Sequence, residues 1–262
     1  MSVAERLFPA PGLRVLVTAG ASGIGRAIVD AFEGAGAAVA LCDVDDAALR
    51  AVRTAHPRVT ALRADVADED EVAALIEQTQ TALGGLDVVV NNAGIAGPTG
   101  AIEAIEASDW RRTLDVNLTG QYLVAAKSVP HLKASEDPAL INISSVAGRL
   151  GYAYRTPYAA SKWGIVGLTA SLAKELGPEG VRVNAILPGI VRGPRIEKVI
   201  QARADALGID YAAMEQRYLE QISLRRMVDP DDVAATALFL ASPGARNISG
   251  QSISVCGHVE DL

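Results

Sequence analysis

Tyr158 and Lys162 stand four residues apart in a stretch that reads as a helix, so their side chains share one face. A lone tyrosine is a poor base at neutral pH, with an ordinary pKa of about 10. An ammonium beside it favours the phenolate. Such a pair can take a proton from an alcohol or return one to a developing alkoxide. Upstream, Ser144 and Ser145 close an apolar run, Ala139–Ser144 followed by Ser145. A hydroxyl there can hydrogen-bond a reacting oxygen.

A second group of residues suits a phosphate-bearing ligand. Thr18-Ala19-Gly20-Ala21-Ser22-Gly23-Ile24-Gly25 follows an apolar run and opens a helix. Glycines let the backbone approach a pyrophosphate, and the helix start offers free N–H groups and a positive dipole end. Gly20, Gly23 and Ile24 form the turn, and the Ser22 hydroxyl can join it. Asp43 lies 18 positions after Gly25 at the end of the next apolar run. A carboxylate there accepts from ribose hydroxyls and repels a 2′-phosphate. Its neighbours Ala21 and Val44 carry no positive charge, so NAD is expected over NADP. Asp43 can also cap the following helix, a role Asp45 fills equally well. Asp65-Val66 suits the adenine edge, and Asn92-Ala93-Gly94 leaves room for the adenine ribose and the middle of the cofactor.

Strand-like and helix-like runs alternate around these residues. Strands are expected at Arg14–Thr18, Ala37–Asp43, Arg58–Arg63, Leu86–Asn91, Ala139–Ser144, Val181–Leu187 and Ser252–Val255. Helices are expected at Gly23–Glu33, Asp46–Ala55, Asp68–Leu83, Ser108–Lys133, Pro157–Leu176 and Asp231–Leu240. Continuous apolar strands separated by helices mean a parallel sheet covered on both faces. The expectation is one α/β domain over 1–262, a Rossmann-type doubly wound sheet of about seven strands. A charged helical flap from Gln201 to Arg226, within 190–226, can close over the site.

Taken together, the glycine turn, Asn91-Asn92-Ala93-Gly94, Asn117, Ser145 and Tyr158-Ala159-Ala160-Ser161-Lys162 resemble the short-chain dehydrogenase/reductase family. The likeness runs from about Arg14 to Gly257. It implies an oxidoreductase that moves a hydride between NAD and an alcohol/ketone pair. Tyr158 is then the general acid/base, and Lys162 also holds the nicotinamide ribose. The motif sets its serine 13 residues before the tyrosine, which selects Ser145 over Ser144. Asn117 would hold a water that links the lysine to solvent. Pro188, Gly189 and Val191 match the nicotinamide loop. The likeness also implies a homotetramer, or a homodimer, assembled through the helices bearing Asn117 and Tyr158 with a C-terminal contact, and the sparse cysteines suit a cytoplasmic setting.

Three positions depart from the family pattern. Ala19 replaces the first turn glycine, at a cost of roughly 1 kcal/mol if φ is positive there, unless Gly20 absorbs the turn. Gly193 stands where a threonine is common, and Cys256-Gly257-His258 replaces Asp-Gly-Gly. The variable shell holds Arg149, Tyr152, Arg155, Arg192 and Arg195, the expected substrate contacts. Arginine suits a carboxylated, sugar-derived substrate, and a 3-oxoacyl-type ketone is a further option.

Two other uses of the same fold make different demands on these residues. A nucleotide sensor is expected to lack the tyrosine or the lysine. A lyase like the halohydrin dehalogenases is expected to lack the dinucleotide turn and to carry arginine for Lys162. Enoyl reductases space the tyrosine and lysine more widely.

The formal charge of −7 argues against a nucleic-acid partner. No window of eighteen apolar residues suggests a membrane span, and the first twelve residues lack the apolar core of a signal peptide. Two cysteines, Cys42 and Cys256, make no disulfide framework, and three scattered histidines offer no metal-ligand spacing.

Overall fold

The computed structural model describes residues 2–259, with backbone alone at 195, 202, 203 and 206. Seven strands pair in parallel: β1 (Arg14–Thr18), β2 (Ala38–Asp43), β3 (Thr60–Arg63), β4 (Val88–Asn91), β5 (Ala139–Ile143), β6 (Arg182–Pro188) and β7 (Ser252–Val255). Their order is β3-β2-β1-β4-β5-β6-β7. The chain winds outward from β1 to β3, then restarts at β4 on the other side of β1. The reversal opens a crevice at the carboxyl ends of β1 and β4.

Alternation along each strand feeds both faces. Val15 and Val17 join a core with Ile28 and Phe32 of α1 (Gly23–Gly34). Leu16, between them, turns to the opposite core with Val72 and Leu75 of α3 (Glu69–Leu83). Between these two helices, Asp45 caps α2 (Asp46–Ala55) by accepting from the Ala47 and Ala48 N–H groups. Cys42 is fully buried, and that burial pushes its thiol up to about 12.

The single helix expected over Ser108–Lys133 is instead two. α4 (Ala107–Leu114) and α5 (Gly120–Leu132) are joined by a π-helical turn, Asp115–Thr119. The inserted residue re-aims the chain at Asn117, which is typical of π turns at functional sites. Gly120 lets α5 come close to the segment after β3, since a Cβ there would lie 2.7 Å from Val66 Cγ2. Val66 is thereby buried at the lip of the crevice.

α6 (Thr156–Leu176) carries Tyr158 and Lys162. The expected flap is two helices, α7 (Pro194–Leu207) and α8 (Tyr211–Glu220), before α9 (Pro230–Ala241) returns to the sheet. Gly193 starts α7 at φ +147°, a region open only to glycine, so the family's threonine has no place here. His258, itself at φ +63°, holds the far end of the flap: its carbonyl accepts from Ser223 N, and its Nδ1 lies 2.9 Å from Ser223 Oγ. Among the described residues no helix is long and apolar enough to cross a membrane.

At the amino end of the sheet, away from the crevice, Asp87 ties β1 to the segment before β4. It accepts from the Arg14 backbone N–H (2.9 Å), Nε (2.8 Å) and Nη2 (2.6 Å), and from Ser135 Oγ (2.7 Å). Burial opposes its ionisation, but the Arg14 and Ser135 donors outweigh it and hold the carboxyl below its ordinary range. A depressed folded-state pKa adds stability above the unfolded pKa, and that stability is lost as pH falls through the folded value. Asp87→Asn is expected to cost about 2–3 kcal/mol near neutrality, a fall in Tm of roughly 5–10 °C. The gap from wild type should narrow below about pH 4. Thermal unfolding followed by circular dichroism across pH checks this, and an unchanged Tm at pH 7 refutes it.

Candidate active site

The turn after β1 is held open by hydrogen bonds from the β4 side. Thr18 Oγ1 accepts from the Asn92 and Ala93 N–H groups, both at 3.0 Å. Asn92 Nδ2 donates to the Thr18 carbonyl (3.0 Å) and the Ala19 carbonyl (3.1 Å). Ala19 takes φ +48° itself, so the expectation that Gly20 absorbs the turn is corrected. Asn92 fixes the Ala19 carbonyl in that strained setting. Gly20 is needed for packing, because a Cβ there would lie 2.7 Å from Leu41 Cβ.

The start of α1 fits a pyrophosphate. Ser22 precedes the helix in extended conformation and its hydroxyl caps none of the first N–H groups. Gly23 has φ +54°, and a Cβ on Gly25 would lie 2.1 Å from the Ala19 carbonyl oxygen. The result is bare backbone with open donors at a helix N-terminus. Ile24 begins the helix beside them and packs into the core below.

Asp43 faces this turn. One carboxylate oxygen accepts from Ala21 N (3.2 Å), the other from Val44 N (2.8 Å) and Asp45 N (3.1 Å). With Asp45 capping α2, Asp43 stays at the lip as a fixed acceptor. Asp65 accepts from Ala67 N (3.0 Å) and Arg112 Nη2 (3.0 Å). Burial pushes its carboxyl up, and these donors more than reverse that.

Across the crevice, Lys162 is only 4% exposed. Its Nζ donates to the Ile143 carbonyl at the end of β5 (3.0 Å) and lies 5.7 Å from the Tyr158 ring centre. Asn117 is fully buried and clamps Ile95, accepting from its N–H (2.7 Å) and donating to its carbonyl (3.0 Å). Asn117 Nδ2 also donates to Ser161 Oγ (3.0 Å), which in turn donates to the Tyr158 carbonyl (2.7 Å). Asn117 and Lys162 meet at Gly94: a Cβ there would lie 3.2 Å from Asn117 Oδ1 and 3.5 Å from Lys162 Nζ. Ala93 is buried beside it. Ser145 caps the short turn after β5, accepting from Ala147 N (3.2 Å), and its own hydroxyl proton remains available to a ligand. Ser144 points the other way, to the Lys162 carbonyl (2.8 Å), and so serves structure.

Pro188 ends β6 as a buried residue, and Gly189 packs where a Cβ would lie 2.7 Å from Cys256 Cβ. Val191 bridges to Val228. These three place the loop beside the crevice.

The expected substrate shell divides. Arg149 is turned to the edge strand, donating to the Ser252 carbonyl and Ser254 Oγ. Arg192 is exposed and pairs with Asp229 (3.0 Å). Neither is brought to Tyr158 by these contacts, because each is already satisfied elsewhere. Tyr152 and Arg155 are brought there: the Arg155 guanidinium carbon lies 5.2 Å from the Tyr152 ring centre and 5.1 Å from that of Tyr158. The Arg195 side chain lies outside the described residues.

Sequence reasoning missed the polar layer beneath the site. Asn91 Nδ2 donates to Asn142 Oδ1 (3.1 Å), Asn142 Nδ2 to Thr169 Oγ1 (3.0 Å), and Gln121 Nε2 to the same Ile143 carbonyl that Lys162 uses (3.2 Å). The signal was present: asparagines inside otherwise apolar strands demand partners.

A family profile described as enoyl-(acyl carrier protein) reductase matches residues 18–258. L-fucose dehydrogenase of Bos taurus is 39% identical over 249 residues, covering 95% of this chain and 90% of that one. Cis-4-hydroxycyclohexanecarboxylate dehydrogenase of Sinomonas cyclohexanicum is 37% identical, covering 92% and 94%. An actinorhodin polyketide ketoreductase solved with NADPH superposes at TM-score 0.88 with 31% identity, covering 94% and 96%. With the tyrosine, lysine, serine and glycine turn assembled at one crevice, the chain belongs to the short-chain dehydrogenase/reductase family.

Proposed function

We propose that this chain interconverts a secondary alcohol and a ketone with NAD(H), and that Tyr158 moves the proton. The observation that carries this reading is the buried Lys162 ammonium beside the Tyr158 ring, at the crevice shared with Gly94 and Asn117. The chain is an oxidoreductase of CH–OH groups that works with a nicotinamide cofactor, as its relatives are. Bound along the glycine turn and the crevice, that cofactor supplies the hydride acceptor for oxidation and the donor for reduction. Gly20, Ser22, Gly23, Ile24, Asn92, Ala93 and Gly94 line its path, with Asp65 and Val66 at the adenine end and Pro188, Gly189 and Val191 at the other.

Each catalytic side chain then has one task. In oxidation the substrate hydroxyl gives its proton to the Tyr158 oxygen while the carbinol carbon loses a hydride. The Ser145 hydroxyl donates to the substrate oxygen and holds it in line. Lys162 stabilises negative charge on the Tyr158 oxygen. Asn117 positions Lys162 and the Tyr158 segment through Ile95, Ser161 and Gly94. Reduction runs the same steps backwards. Tyr158→Phe should lower kcat by about a thousandfold while nicotinamide cofactor binding stays within a few-fold. Steady-state rates with fluorescence titration of NADH check this, and substantial remaining turnover sinks the assignment.

The preference for NAD over NADP rests on Asp43. Its carboxylate, held at the end of β2 beside the glycine turn, would repel a 2′-phosphate, and the neighbouring cation, Arg63, is drawn to Glu71 (3.1 Å). One structural relative holds NADPH, so the choice must come from this site's own residues. The kcat/KM ratio of NAD to NADP should be about a hundredfold and should fall at least tenfold in Asp43→Asn. A wild-type preference for NADP overturns it.

A homotetramer is the proposed assembly, with a dimer as its smaller form. Tyr122 on α5 and Trp163 on α6 are 54% and 50% exposed, large apolar groups on the helices expected to meet a second copy. Two buried free cysteines suit a cytoplasmic enzyme. Light scattering should give four times the chain mass of 27.2 kDa, and Trp163→Glu should shift it to a smaller species. A wild-type monomer refutes the assembly.

A further inference from the structure

Arg155 is placed unlike the other arginines of the shell. Its guanidinium lies over the rings of both Tyr152 and Tyr158. Nη2 donates to the Ala96 carbonyl (2.8 Å), while Nε is buried with no hydrogen-bond partner. Arg112 has Asp65 and Arg192 has Asp229, but among the described residues no carboxylate pairs with Arg155. The backbone that carries it is fixed as well. The Arg155 backbone N–H donates to the Tyr152 carbonyl (3.1 Å), and the carbonyl of the preceding Tyr154, at φ +62°, accepts from Gly100 N (2.9 Å). Arg155 also stands at the start of α6, whose first N–H groups have no side-chain cap.

A permanent cation, half-buried and without a protein anion, leaves local positive charge for a ligand to neutralise. The open helix start adds to it. A planar guanidinium fork matches a carboxylate. Because this cation lies against the ring whose oxygen takes the proton, an anion bound there sits within a few bonds of the reacting carbinol. Resting on the reading that Tyr158 moves the proton, we propose that the substrate is a short hydroxy acid, or its keto acid, whose carboxylate is held by Arg155. Arg155 then sets specificity, and the chemistry at the carbinol is unchanged.

If Arg155 only staples Ala96, its loss weakens acids and neutral analogues alike. The test therefore reads a ratio. With the nicotinamide cofactor it prefers, the enzyme is assayed on 3-hydroxybutyrate, cis-4-hydroxycyclohexanecarboxylate and related hydroxy acids, each beside its carboxamide. The best acid should exceed its amide in kcat/KM by about ten- to a hundredfold. Arg155→Met should erase that ratio, mainly through KM, and Arg155→Lys should keep part of it. No preference for acids, or a ratio unchanged in Arg155→Met, overturns the proposal. Binding is measured separately in Tyr158→Phe by titrating the NADH complex with the keto acids and following nicotinamide fluorescence. Adding Arg155→Met should weaken binding at least tenfold, and equal binding with and without Arg155 overturns the proposal. This arm needs no turnover, so failure of the catalytic reading is told apart from failure of the Arg155 reading. Should Arg155→Met not fold, the Lys variant and the wild-type acid-to-amide ratio decide.

Discussion

A buried ammonium constrains the whole carboxyl edge of this sheet. Lys162 cannot be left 4% exposed without an acceptor, and it takes the Ile143 carbonyl at the end of β5. That contact fixes the distance between α6 and the sheet, and with it the place of the Tyr158 ring. Gly94 lies against both groups, since a Cβ there would crowd Asn117 Oδ1 at 3.2 Å and touch Lys162 Nζ at 3.5 Å. The π turn Asp115–Thr119 then aims Asn117 at the same spot. One charge held off water thus ties together the ends of β4 and β5, the break between α4 and α5, and the first turns of α6.

The two ends of the sheet divide the work. Asp87, Arg14 and Ser135 form a saturated network at the amino end, where every carboxylate lone pair that matters finds a donor. At the carboxyl end the opposite holds. Ser22 leaves the first N–H groups of α1 uncapped, Ala19 carries a positive φ, and Arg155 Nε has no partner. Donors left open at one end are tolerable because the other end and the two apolar cores hold the strands together.

Much of this was legible in the sequence for physical reasons. Strands buried on both faces are continuous apolar runs, so β1, β2, β4, β5 and β6 stand out with no alignment. Spacing of four on a helix brings Tyr158 and Lys162 to one face whatever the tertiary fold. The rest depended on three-dimensional closure. Nothing local separates a π turn from a helix, so residues 108–133 read as one element. Nor does local sequence say where an arginine's long side chain ends. Arg149 and Arg155 are equivalent by spacing and composition, yet one reaches the edge strand and the other the Tyr158 ring. Asn91 and Asn142 were readable as misfits in apolar strands, and Gln121 as one on the buried face of α5, but their partners come from other elements.

The flap is not an independent appendage. Its apolar side chains Ile200, Met214, Tyr218 and Ile222 share one core with Val146, the residue after Ser145, and with Cys256 beyond β7. Gly257 is confined against Ile222, where a Cβ would lie 2.8 Å from its Cγ2. The helices α7 and α8 therefore pack on the backbone that holds the serine. A change of flap sequence that alters this core shifts the short turn after β5, and with it the direction of the Ser145 hydroxyl. The exposed face of α7 and α8 can vary freely, whereas the inner face is bound to keep the serine in line. Specificity in this chain is accordingly easiest to alter at residues that face the crevice without joining that core, and Arg155 is one of them.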